Sequence, residues 1–301
     1  MRGFCVLWII CIWHLMDYYM DLPLRNYIYN TYGVKITQIV LASFTFLSGL
    51  FLGRYTINNL KDCYHFYKKR FLRFYLLFFI ASILLYFTPC EWGAFYKSPL
   101  QLFFSLVGVS AFWDGMPSTM WYMSMLLFFY LITPIIIQFD IKKRWMMGFC
   151  LFVLLWMLDK LYLEMDGRVI LYFPFYTLGL CLGNPQKIRN MYKRNTLLKL
   201  LIVLSICLFG ILYDNFYLNY IFILSGIYLF SYLSTKLTPI ISEKLISYIS
   251  YSSLVAYLFH RQIYALFNSF NIPLYIAILI IFLISYCIQK CYDLILKFYE
   301  K

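Results

Sequence analysis

Charge is what this chain has least of. Asp, Glu, Lys and Arg together make 13% of its 301 residues, while hydrophobic residues make 63%. A soluble domain averages about 25% charged and about 45–50% apolar, so the soluble globular class is excluded and a polytopic membrane protein is indicated. Acid is scarcer than base: 13 Asp and Glu stand against 26 Lys and Arg, a net charge of +13. In a soluble protein that excess suggests nucleic acid. Here the basic residues sit between apolar runs, as Lys and Arg do in cytoplasmic loops, and no nucleic-acid partner is expected. The nine cysteines are scattered, most of them inside apolar runs, where a free thiol behaves as a small hydrophobe. There is no CxxC and no Cys/His spacing that suits zinc, so no metal is expected. Repeats, low-complexity tracts and any stretch fit for a soluble domain are also lacking, and residues 1–301 read as one domain.

What the chain does have is apolar sequence studded with 30 Tyr and 30 Phe. Such aromatics gather at membrane interfaces. A spanning helix takes about 20 mostly apolar residues. The pattern predicts an all-α bundle of about ten spans, near 2–17, 36–53, 71–88, 119–139, 145–159, 169–183, 196–213, 216–233, 247–268 and 272–296. The stretch 99–113 is apolar but short, which suits an interfacial or re-entrant piece. The first span lacks a small-residue cleavage site and is not expected to be a removable signal.

Loop charge tests the topology. Alternate connections and the termini carry twenty of the 26 basic residues, among them Arg2, Arg54, Lys68, Lys69, Arg70, Arg73, Arg144 and Lys297. The other connections carry five: Arg25, Lys35, Lys97, Lys160 and Arg168. The positive-inside rule then places both termini in the cytoplasm and the chain in the cell (inner or plasma) membrane as a multi-pass protein.

His14 lies within the first apolar span, where an ionisable residue is costly and points to function. At 1.5 Å per residue it sits about 18 Å from Arg2. His260 lies about 20 Å up the ninth span, by the same reckoning. Both histidines are therefore expected at similar depth in the outer half of the membrane. The functional reading of His14 is a general base facing a cavity, since imidazole exchanges protons near neutrality; the bland one is an interfacial hydrogen bond to a neighbouring helix. His260 carries the same two readings. Arg261 beside it points about 100° away on a helix and is open to snorkelling towards the interface. His65, in the basic stretch DCYHFYKKRFLRFY, reads as a solvated loop residue.

In that stretch Arg70 and Arg73 are three apart and share a helix face. They read as positive-inside charges or as a clamp for a phosphorylated ligand, because guanidinium forks fit phosphate oxygens. Ser48 and Gly49 in FTFLSGLFLGR read as a polar site or as a small-residue helix contact. Trp121, Asp114 and Ser118 fall on the outer side, where a substrate arrives.

Several of these segments line up with one family. RGFCVLWIICIWH resembles the Arg-Gly…His first span of the acyltransferase family 3 membrane proteins, which include O-acetyltransferases of bacterial surface polysaccharides. FTFLSGLFL resembles the family's Ser-Gly motif. YKKRFLRFYLLFF is similar to its Lys-Arg…Arg motif, and STMWYMSMLLFFYLITPII to its Trp-centred span. YFPFYTLGLCLG resembles its Phe-Pro-Phe…Gly segment, and SSLVAYLFH its Ser…Tyr-Leu-x-His segment, with Ser253, Tyr257 and His260 in place.

The resemblance implies an integral membrane acyltransferase. It would move an acyl group, commonly acetyl, from cytoplasmic acyl-CoA to a hydroxyl of a surface polysaccharide or lipid-linked sugar. His14 and His260 would be catalytic, with His260 and Ser48 lining the cavity of His14. Arg70, Arg73, Arg2 and Ser48 would hold acetyl-CoA or another acyl-CoA, and Trp121 and Tyr257 would meet the acceptor. The rival reading is a ten-span transporter of a sugar or lipid-linked intermediate, though no inverted repeat or matching pair of broken helices marks one.

One spacing departs from the family. Eleven residues separate Arg2 from His14 where the family has ten. Positions twelve apart differ by about 120° around a regular helix, against about 20° for eleven. Either a π-bulge absorbs the extra residue, or Arg2 precedes the first helical turn. The family also carries residues, one of them acidic, ahead of this arginine, so a chain shortened at its start is expected.

Overall fold

The computed structural model describes residues 1–17, 31–88, 98–110, 120–161, 166–183 and 216–299, with scattered positions between 199 and 210. Among the described residues there is no strand. The helix α1 is α-helical over Arg2–Trp8, π-helical over Ile9–Trp13 and 3-10 over His14–Asp17. Then come α2 (Thr31–Leu52), α3 (Leu60–Arg70, a π segment Phe71–Tyr75, and Leu76–Phe87), α4 (Pro99–Val107) and α5 (Met120–Ile137). Next in the chain are α6 (Ile141–Leu161), α7 (Gly167–Leu182), α8 (Phe216–Ile241), α9 (Glu243–Ser269) and α10 (Leu274–Tyr299).

Short polar side chains start these helices, because the first turn leaves N–H groups without partners. Asn59 accepts from the Asp62 N–H, Ser98 from Gln101, Asp166 from Arg168 and Ser242 from Leu245. The basic stretch expected as a loop is helical. From Leu60 to Phe87 no Gly or Pro interrupts the chain, so the Asn59 cap launches one helix that carries Lys68, Lys69 and Arg70 into the apolar run behind them. His65 is exposed, as expected, but on that helix.

Among the described residues five helices are long and apolar enough to cross a membrane: Tyr32–Leu52, Leu60–Phe87, Met120–Ile137, Leu218–Ile241 and Leu274–Phe298. Arg2–Trp13 and Gly167–Leu182 are apolar but shorter. The expected span 196–213 lies largely outside the described residues, as do Asp114 and Ser118. The outer faces of α6 and α10 expose Phe149, Leu154, Trp156, Leu279, Leu283 and Ile295. Water does not favour apolar faces of that extent, but lipid does.

The closest helix pair is α2 with α7. A Cβ on Gly49 would stand 2.2 Å from the Tyr176 carbonyl oxygen, and one on Gly179 would stand 2.3 Å from that of Phe46. Backbones this near need glycine, the small-residue logic of helix contacts in membranes. Gly49 thus serves the contact, while its neighbour Ser48 lines a cavity. At one end of this pair Arg144 reaches across helix termini. Its guanidinium donates to the carbonyls of Ile137 (2.7 Å), Phe139 (2.8 Å), Gly53 (3.0 Å) and Leu180 (3.5 Å). It thereby pairs carbonyls at the ends of α2, α5 and α7 that helix geometry leaves without donors. The helix α9 packs against α1, α3, α8 and α10, so its inward face joins the start of the chain to its end.

Candidate active site

The π segment of α1 decides where His14 points. There the His14 N–H bonds the carbonyl of Ile9, five residues back. This leaves the Ile10 carbonyl without its usual α-helical donor. Tyr264, fully buried on α9, fills that place with its hydroxyl at 3.0 Å. Tyr257, His260 and Tyr264 recur at three and four residues and so share one face of α9. The Tyr264 ring meets His260 edge-on at 6.1 Å, and the Tyr257 ring lies 6.5 Å from His14.

The two histidines meet directly. His14 Nδ1 and His260 Nε2 are 2.7 Å apart. Their ring planes differ by 5° with centroids 4.9 Å apart, which fits rings joined edge to edge in one plane. The remaining nitrogen of His260, Nδ1, faces the carbonyls of Tyr257 (2.8 Å) and Ala256 (3.1 Å). Carbonyls only accept, so this nitrogen must carry hydrogen. In neutral His260 the Nε2 is then a bare acceptor. His14 must donate to it from Nδ1, and neutral His14 keeps its lone pair on Nε2. Backbone carbonyls thus fix the tautomer of His260, and His260 fixes that of His14.

His14 lines a cavity of about 360 Å³ together with Thr37, Gln38, Trp121, Tyr172, Tyr257, Arg168 and Arg261. His260 does not line it; it stands fully buried behind His14. Arg261 does not snorkel to an interface. It is 3% exposed and lines the same cavity, because α9 is walled in by its neighbours up to this level. Trp121 is 6% exposed, and the Arg168 guanidinium lies 3.9 Å above its ring. Arg168 is held in turn by Asp166, to which its Nε donates at 2.7 and 2.9 Å.

A second cavity, of about 590 Å³, opens towards the other end of the bundle. Arg2, Ser48, Arg70 and Arg73 all line it. Arg70 is steadied by Tyr55, whose hydroxyl accepts at 3.0 Å, and by the rings of Tyr55 and Phe66. Among the described residues neither the buried Nε of Arg2 nor that of Arg70 has an acceptor. Arginine side chains gathered at one cavity suit an anionic ligand. Ser48 belongs to this cavity and not to that of His14, where a shared cavity was expected. On α2 the two sites occupy successive stretches, and Ser48 falls below Phe44 while Leu41 and Gln38 face upward.

The partition between the cavities is thin. Leu41 faces one and Phe44 the other, about 4.5 Å apart along α2. Tyr122 fills the level between them, its hydroxyl 3.0 Å from Thr45 Oγ1 and its ring edge-on to Phe44.

Composition does not single out Arg168, Tyr172 or Tyr264. Tyr264 carries a readable signal, four residues beyond His260 on the same helical face. Arg168 counts in sequence only as a loop charge, and its stacking on Trp121 depends on α7 packing beside α5. Among the described residues no group of three or more His, Cys, Asp or Glu is placed to hold a metal ion.

These features define a helical membrane protein with a buried histidine pair at the wall of one of two cavities. Residues 1–288 match the model of the acyltransferase domain, and the chain belongs to acyltransferase family 3. No curated protein and no solved structure gives a significant match.

Proposed function

We propose that the chain is a ten-span O-acyltransferase of the cell membrane with both termini in the cytoplasm. It takes an acyl group, acetyl in the simplest case, from cytoplasmic acyl-CoA and places it on a hydroxyl of a surface polysaccharide or lipid-linked sugar. The observation that carries this reading is the His14–His260 bond, because it leaves a basic nitrogen at a cavity wall. Arg2, Arg70 and Arg73 take the phosphates of the donor at the basic end, with Ser48 beside them. The pantetheine arm passes the layer of Tyr122 and Phe44 to reach His14. The acceptor sugar enters the other cavity, against Tyr257 and the Trp121–Arg168 stack.

In the reaction the acceptor hydroxyl gives its proton to His14 Nε2 as its oxygen attacks the thioester carbonyl. The imidazolium so formed is stabilised by the bare Nε2 of His260, which keeps the His14 Nδ1 hydrogen in place. Collapse of the tetrahedral adduct breaks the C–S bond, and the departing thiolate takes the proton back from His14. The products are the acyl ester and free CoA thiol. Direct acylation of His14 Nε2 is the variant route, in which the same lone pair attacks the thioester first.

The test is acyl transfer in vesicles reconstituted with the purified protein, read together with mass spectrometry of surface glycans from cells with and without it. His14→Ala, still inserted and folded, should transfer no acyl group. Transfer at the parental rate by that variant removes His14 from the mechanism. Movement of sugar without consumption of acyl-CoA marks a carrier instead.

A further inference from the structure

The basic cavity contains a residue that phosphate binding does not explain. Among its lining residues Arg2, Arg70, Arg73 and Lys297 are cationic, and a single one, Asp293, is acidic. Among the described residues its hydrogen bonds come from neutral groups: the Tyr251 hydroxyl donates to its Oδ2, and Gln289 Nε2 donates to its Oδ1 at 3.0 Å. Tyr251 and Gln289 also line the cavity. The carboxylate is therefore braced from α9 and from one turn back on α10, with its position set before any ligand arrives. An ionised carboxylate offers about four lone-pair sites. The two donors take one on each oxygen, so each oxygen keeps another.

A fixed negative charge in a site for a polyphosphate weakens binding by repulsion. It is tolerable when the same ligand brings a hydrogen-bond donor to it. The nucleotide of an acyl-CoA has such a group at one end, the exocyclic amine of adenine, which donates from N6 while the neighbouring ring nitrogens accept. The Tyr292 ring, tied to α3 by its hydroxyl on the Leu72 carbonyl, lines the cavity beside Asp293. We propose that Asp293, braced by Tyr251 and Gln289, accepts a hydrogen bond from the exocyclic amine of the donor's purine and makes this cavity selective for an adenine nucleotide. This rests on the reading of the cavity as the donor site. Asp293 itself lies beyond residue 288, where the family match ends, so the assignment belongs to this chain's own last helix.

The experiment compares two ligands on the full chain in lipid nanodiscs. One is adenosine 3′,5′-bisphosphate. The other is its hypoxanthine counterpart, which has the same phosphates but a carbonyl in place of the amine. The parent should bind the adenine compound roughly 10- to 100-fold more tightly, the weight of one hydrogen bond to a charged group. In Asp293→Asn the preference should vanish or reverse, because the new amide donates to the hypoxanthine carbonyl. Equal binding of both compounds by the parent overturns the assignment without need of any variant. So does an unchanged preference in Asp293→Asn. Binding of neither compound by the parent refutes the donor site itself, which separates that failure from a failure of the Asp293 assignment.

Discussion

His260 never touches the cavity, yet its replacement should cripple transfer. In His260→Phe the ring shape is kept and both nitrogens are lost. His14 Nδ1–H then points at carbon, where an acceptor had stood 2.7 Å from Nδ1. A buried donor left so costs about 1–3 kcal/mol. His14 escapes that cost by moving its hydrogen to Nε2, which removes the lone pair that serves as base. The active tautomer becomes the disfavoured one by about the same 1–3 kcal/mol, a population loss of roughly 5- to 150-fold. Loss of the acceptor that steadies the imidazolium adds to this. The ceiling is about 10⁴-fold, the penalty for a wrong tautomer where the orienting group is a full carboxylate. A neutral imidazole orients less strongly, so about 10²- to 10³-fold is expected in kcat. His260→Gln should recover much of it, because the amide oxygen accepts from His14 and restores the tautomer. The donor KM should stay near the parental value in both variants, since His260 lines neither cavity. The assay is initial-rate acyl transfer in reconstituted vesicles, with thermal unfolding as the check on folding. A folded His260→Phe within about threefold of the parent, beside an inactive His14→Ala, refutes the tautomer argument.

Further substitutions at Arg144 and Gly49 test the frame around the site. Arg144→Met should lower stability by at least about 3 kcal/mol, because four helix-end carbonyls lose a charged donor, and Arg144→Lys should recover little, since an ammonium lacks the planar fork; an unchanged thermal midpoint in nanodiscs contradicts this. Gly49→Ala should cost about 1–3 kcal/mol by overpacking against the Tyr176 carbonyl. Gly167→Ala, where a Cβ meets nothing within 4 Å, is the neutral control on the same unfolding assay.

How far the fold and the site are legible in sequence varies with the length scale of the cause. Helix positions follow from apolar runs, and most expected spans overlap observed helices, though among the described residues five helices are long and apolar enough to cross a membrane. The basic stretch before residue 71 reads as loop only if charge is taken as a sign of loop. Helix formation there depends on the Asn59 cap and on the absence of Gly and Pro, both local features present in the sequence. Arg2, Ser48, Arg70 and Arg73, expected from the resemblance to hold the donor, line one cavity. The expectation of Ser48 near His14 fails because depth along α2 decides the cavity, and one turn separates the two. Asp293 is invisible in sequence. Its meaning comes from Tyr251 on another helix, and a lone acid in an apolar helix carries no address of its own.

The extra residue between Arg2 and His14 shows how a local defect in a pattern carries structural information. In a continuous α-helix twelve positions would turn the two side chains about 120° apart. Arg2 is in the first turn of α1, so the alternative of an arginine lying ahead of the helix does not hold. The π segment over Ile9–Trp13 widens a turn by one residue, and the net rotation returns to about the 20° of an eleven-residue step. Arg2 and His14 thereby face the same interior at levels about 18 Å apart, one at each cavity. The second π segment, Phe71–Tyr75, contains Arg73 and directly follows Arg70. Each π segment leaves carbonyls without α-helical donors, and each is met by a tyrosine from α9 or α10: Tyr264 on Ile10 and Tyr292 on Leu72. A π turn is tolerated in an apolar layer only where such a donor stands ready, because an open carbonyl there costs several kcal/mol. The C-terminal helix pair therefore does more than close the bundle. Its tyrosines hold the two irregular turns that aim the histidine at one cavity and the arginines at the other.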